Sequence, residues 1–148
     1  MEAAFWDTSA LVPLCVHQQP TPFLQQLIRE YSLVVWWATS VEAQSAFARD
    51  LRAGILTASE HGQAQQRLER LRRKWREVQP GESLRRLAEE LLQRYPLRAA
   101  DALQLAAAYT WSSSRPFNRR LISGDRRLLA AAQAVGFRIV EVAALAGN

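Results

Sequence analysis

The amino-acid sequence predicts an α/β domain with a central, mainly parallel β-sheet and helices on both of its faces. Two observations carry that expectation. Short runs of strand length recur at 3–6, 33–37, 120–123 and 137–142, the first two apolar enough to be buried on both faces. Between them lie longer segments whose apolar residues recur at helical spacing. The 148 residues correspond to one domain, 1–148, long enough to bury a hydrophobic core.

The first element is a strand, since residues 3–6 (AAFW) are too short for a helix. Residues 8–16 read as a helix with Pro13 in or near its first turn. Pro20-Thr21-Pro22 breaks the chain. Thr21 is placed to cap a second helix, with Pro22 at its first position and Phe23, Leu24, Leu27 and Ile28 on one face. Residues 33–37 form the next strand, and Thr39 or Ser40 starts a helix that stops at Gly54. From 57 to 77, Leu68, Leu71, Trp75 and then Val78 keep helical spacing between arginines. Pro80-Gly81 is a turn, 82–95 a helix closed by Pro96, and 99–112 an Ala-rich apolar helix. A loop over 112–116 leads to a strand at 120–123. Gly124-Asp125 then enters a helix ending at Gly136, and 137–142 is the last strand.

Nineteen Lys and Arg against fourteen Asp and Glu leave a net charge of +5, which favours a polyanionic partner, nucleic acid first. All of these cations except Lys74 are Arg, the better residue for forked phosphate contacts. Cys15 is the only cysteine, which excludes an internal disulfide and a Cys-based zinc site. The N-terminus lacks the basic start and long apolar region of a signal peptide, and no stretch approaches the roughly 18 apolar residues of a membrane span. The expectation is a cytoplasmic protein without a membrane partner.

Four acids stand at strand ends or helix starts: Asp7, Glu42, Asp101 and Asp125. Each has a plain structural explanation. Asp7 could cap the helix from Thr8, and Thr39 to Glu42 fits a capping box. Asp101 would suit the positive end of its helix, and Asp125 could close a turn and cap the helix after it. Together they suggest more. The functional groups of a parallel sheet gather at the carboxyl ends of its strands. Carboxylates clustered there repel unless a cation sits among them. Oxygen ligands suit Mg²⁺ or Mn²⁺, which can activate water for attack on a phosphodiester.

Four stretches in register, "FWDTSALV", "TSVEAQSAF", "LRAADALQLAAA" and "LISGDRRLLAAAQAVGFRIV", resemble the PIN-domain nucleases. Within that family the chain is most similar to the VapC-type toxin ribonucleases of toxin–antitoxin pairs. The resemblance spans essentially the whole chain and implies a PIN-like fold and an Mg²⁺- or Mn²⁺-dependent endoribonuclease. It implies that Asp7, Glu42, Asp101 and Asp125 form a catalytic, metal-binding quartet. Ser9 and Ser123 match the hydroxyl residues beside the metal, Ser123 standing where Thr is frequent. Gln104 occupies a place where relatives commonly carry His. An antitoxin protein and a second copy of the chain are the partners the resemblance implies, with RNA as substrate.

Phosphate contacts are assigned to Arg98, Arg119, Arg120, Arg126 and Arg127, close in sequence to Asp101 or Asp125. The basic stretch 67–77 reads instead as a solvated helix face around buried Leu68, Leu71 and Trp75. Trp36 and Trp37 point to opposite faces of a strand, with core packing expected for at least one. Trp111 and Tyr109 suit core or dimer packing better than base stacking, and Asp50 reads as a surface charge. His17 and His61 fit no metal spacing. The rival from another class is a non-catalytic nucleic-acid- or protein-binding module whose acids are structural. A haloacid-dehalogenase phosphatase would need a second Asp where Ser9 stands, and no Gly-rich phosphate loop is present.

Overall fold

The structure, a computed structural model, describes residues 1–143. The chain runs β1 (Glu2–Trp6), α1 (Thr8–Val16), α2 (Pro22–Glu30), β2 (Tyr31–Trp36), α3 (Thr39–Arg52) and α4 (Ala58–Arg72). It continues β3 (Arg76–Val78), α5 (Glu82–Arg94), α6 (Ala99–Trp111), a 3₁₀ turn (Pro116–Asn118), β4 (Arg120–Ser123), α7 (Arg126–Val135) and β5 (Arg138–Glu141). Every strand pairing among the described residues is parallel, and the sheet order is β3-β2-β1-β4-β5. This is the α/β architecture with a parallel sheet and helices on both faces that the sequence predicts.

Strand periodicity divides the core. Phe5, Val34 and Trp36 face α5, α6 and α7, meeting Leu84, Leu91, Leu105 and Leu128. Their neighbours Ala4, Trp6, Leu33 and Val35 face the other way, onto Ala10 and Leu11 of α1 and Leu24 and Leu27 of α2. A third cluster joins α1 to the α3–α4 pair through Cys15, Ala43, Phe47, Ala64 and Leu68. Thr21 caps α2 as expected, its side chain accepting from Leu24 N, but Phe23 is half exposed rather than on the buried face.

Three local expectations need correction. The helix over 57–77 ends at Arg72, and Arg76–Val78 is instead an edge strand paired with β2. Three residues with two charges at a sheet edge carry little strand signal, and short charged edges are a usual defence against unwanted pairing. Pro13 lies in the second turn of α1, not the first, and so leaves the Ser9 carbonyl without its helical donor. The capping box sits at Thr57 and Glu60, not at Thr39 and Glu42. Thr57 Oγ1 accepts from Glu60 N at 3.1 Å, and Thr57 N donates to Glu60 Oε1 at 2.9 Å. Thr57→Ala should therefore cost about 1 kcal/mol. That predicts a fall of about 2–4 °C in thermal denaturation.

The order of strands fixes where a site belongs. From β1 the chain moves through β2 to β3 on one side, and from β4 to β5 on the other. The switch point therefore lies between β1 and β4, and ligands of open parallel sheets bind outside the carboxyl ends of the strands there. Among the described residues no helix is long and apolar enough to cross a membrane.

Candidate active site

Asp7 directly follows β1, and its backbone N–H continues the ladder by donating to Ile122 O of β4 at 3.0 Å. Its backbone stands in the N-cap position of α1, yet its side chain caps nothing. Instead Asp7 Oδ2 accepts from Ser9 Oγ at 2.5 Å and from Ser123 Oγ at 2.8 Å. Those hydroxyls are held in turn by Gly124 N, which donates to Ser9 Oγ at 2.8 Å, and by Asp125 N, which donates to Ser123 Oγ at 2.9 Å. A chain of hydrogen bonds thus locks Asp7 across the switch point through one of its two oxygens.

Glu42 is fixed by different means. Thr39 lies inside α3 rather than capping it. Glu42 Oε1 instead accepts from Thr8 Oγ1 at 2.7 Å and from Gln104 Nε2 at 3.0 Å. Asp125 is the one member of the quartet whose side chain caps a helix among the described residues. Its Oδ1 accepts from Arg127 N and Leu128 N at the start of α7. That capping uses a single oxygen, so the capping reading and a role in the cleft are compatible.

All four acids line one cleft of about 1150 Å³. The first turns of α1, α3, α6 and α7 all border it, and Arg49, Arg98, Arg126 and Arg127 rim it. Arg119 and Arg120 do not. Arg119 lies over the Trp111 ring, while Arg120 pairs with Glu2 and lies over Tyr31. Both sit at the amino end of β4, whereas the acids sit beyond its carboxyl end, so neither is placed to contact phosphate in the cleft. Arg49, outside the phosphate contacts assigned from sequence, does carry a signal there: it follows Glu42 by nearly two turns, which puts it on the same face of α3. Asp50 also borders the cleft and is only partly exposed, so it is more than a remote surface charge. Trp36 is buried and Trp37 half exposed, just beyond β2.

The electrostatics reflect burial. Desolvation raises the Asp7 carboxyl above its ordinary range, and Glu42 and Asp125 raise it further, while the Ser9 and Ser123 hydroxyls pull it partly back. Asp101 is pushed up to about 6, by desolvation first and then by Asp125 and Asp7, against a lowering hydrogen bond from the Arg98 backbone.

Whether these groups suit a metal turns on their chemistry and spacing. Among the described residues no three Asp, Glu, His or Cys side chains close on a single point as a ready-made cage. A caged ion of the zinc type is therefore not indicated. Mg²⁺ and Mn²⁺ ask for less, since Mg²⁺ keeps several waters and is commonly held through one or two carboxylates. Oxygen-only donors around an open cleft fit that mode.

No protein-family profile and no curated protein matches the chain in sequence. Solved structures do match in fold. A toxin–antitoxin complex from Klebsiella pneumoniae aligns with a TM-score of 0.66 at 18% identity, over 95% of this chain and 100% of that one. VapBC2 from Rickettsia felis, bound to a DNA fragment from its promoter, aligns at 0.63 and 11% over 94% and 98%. FitAcB from Neisseria gonorrhoeae gives 0.63 and 14% over 93% and 96%.

Proposed function

We propose that this chain is an Mg²⁺- or Mn²⁺-dependent endoribonuclease that hydrolyses RNA phosphodiester bonds and acts as the toxin of a toxin–antitoxin pair. One observation carries the reading. Acids from four separate elements meet in one cleft at the switch point of a parallel sheet, with arginines around its rim. Helix capping would ask for one polar side chain per helix, and the Asp7 side chain does no capping. The Klebsiella pneumoniae complex supports the toxin role and an antitoxin partner, since it contains a chain of like fold.

Asp7, Glu42 and Asp101 would hold the ion, one or two of them directly and the others, like Asp125, through its waters. When bound, such an ion activates water for attack on phosphorus and stabilises the leaving oxygen. The chain supplies the rest. Arg98, Arg126 and Arg127, joined by Arg49, position the phosphates without reading sequence. Ser9 and Ser123 hold Asp7, and Thr8 holds Glu42. Neither His17 nor His61 borders the cleft, so proton transfer is left to water and the acids. Homodimerisation belongs to the same proposal.

The test is purified protein with total cellular RNA and Mn²⁺ or Mg²⁺, with new ends mapped by sequencing. Discrete cuts that vanish with EDTA are the expected outcome. A second reading, a binding module with structural acids, takes its support from the lack of a closed cage among the described residues. Absent cuts together with no Mn²⁺ binding in calorimetry would favour that module.

A further inference from the structure

We infer that Gln104 is a positioning residue that aims the Glu42 carboxylate and couples its helix to the one carrying Asp101; the inference rests on the nuclease reading above. Gln104 lies one turn after Asp101 on α6 and is only 1% exposed. Its neighbours on that helix are apolar, among them Leu105, Ala106, Ala107 and Ala108. A buried amide in such company needs an explanation.

Its hydrogen bonds provide one. Nε2 lies 3.0 Å from Glu42 Oε1, 3.0 Å from Thr8 Oγ1 and 3.2 Å from Thr39 Oγ1. The amide orientation is dictated by chemistry, because an ionised carboxylate only accepts and must face the nitrogen. Thr8 already gives its hydroxyl hydrogen to Glu42, so it too can only accept from Gln104. The opposite end of the same amide is abandoned: Oε1 is buried and meets no donor among the described residues. A side chain chosen for packing would be apolar, or bonded at both ends. Gln104 is bonded only where it faces the site. It thereby ties α6 to α1 and α3, the helices of Thr8 and Glu42.

Gln104→Met keeps the length and removes the donors; Gln104→Glu keeps the shape and removes the donors towards Glu42. Mn²⁺ affinity should fall about 10-fold or more in both, the usual cost of losing a group that orients a metal ligand. RNA cleavage at limiting Mn²⁺ should fall alike, and saturating Mn²⁺ should restore the rate of Gln104→Met. A packing role alone would not produce that recovery. Affinity within about twofold of wild type in either folded variant would overturn the inference. Should neither variant fold, the wild-type side-chain amide signals of Gln104 decide it. They should shift in NMR on addition of Mg²⁺, and no shift would refute the role. Cleavage by the wild type with unaltered metal binding in the variants would sink the positioning role and leave the nuclease standing. A wild type that neither binds Mn²⁺ nor cuts would remove both.

Discussion

Asp7→Asn should abolish metal-dependent RNA cleavage while making the metal-free protein harder to unfold. The two effects have one cause. Asp7 is 5% exposed, and burying its charge is unfavourable enough to raise its carboxyl. Asn keeps the shape and an oxygen that can still accept from Ser9 and Ser123, so the hydrogen-bonded lock across the switch point survives. What disappears is the buried charge and, with it, the attraction for a divalent cation. Removing groups that merely orient a ligand costs 10–100-fold, so losing the ligand should cost at least about 100-fold. Cleavage assays in Mn²⁺ measure the first effect, and thermal melts in EDTA the second. A variant that still cuts in an Mn²⁺-dependent way would remove Asp7 from the chemistry. A lower melting temperature in EDTA would mean that its charge supports the fold, as a cap's would.

Acidification should weaken Mn²⁺ binding and strengthen the empty protein. Asp101 has a folded value of about 6 against an ordinary 3.8, and Asp7 is raised as well. Between those limits the folded state holds more protons than the unfolded chain, so stability falls as pH rises through the window and is greatest at its acid end. After screening of a half-buried group, about 1 kcal/mol is a reasonable scale. That corresponds to melting about 2–4 °C higher at pH 5 than at pH 7 in EDTA. Metal binding needs the deprotonated forms, so Asp101 alone should reduce apparent Mn²⁺ affinity about tenfold between pH 7 and pH 5. Calorimetry across that range, with proton release read from buffers of different ionisation heat, tests it. A pH-independent affinity would show that Asp101 is not a ligand.

The fold was legible where residues are repetitive and local. Apolar runs such as 3–6, helical spacing in 82–95 and the Thr21-Pro22 start each arise from short-range physics, and each lies where expected. The β3 strand was not legible, because Trp75 and Val78 happen to continue the spacing of Leu68 and Leu71. Only pairing with Val34, Val35 and Trp36 makes a strand of those residues. Arg119 and Arg120 lie away from the cleft for a related reason. Nearness along an extended strand is distance in space, at about 3.3 Å per residue. Arg49 is the converse, about as far along the chain from Glu42 but returned to the same face by nearly two turns of α3. The four acids could be picked out because strand ends and helix starts are visible in sequence. Their partners Thr8, Ser123 and Gln104 come from three elements that only tertiary structure brings together.

Four helices begin at the cleft, and that has a bearing on the order of events after synthesis. Each amino terminus presents the equivalent of about half a positive charge. Four together offer roughly two, a fixed counterweight to the carboxylates that needs no ion and cannot be chelated away. A small zinc domain has no such reserve and stays unfolded until metal arrives. Under the metal dependence proposed above, this chain should therefore fold first and become loaded afterwards.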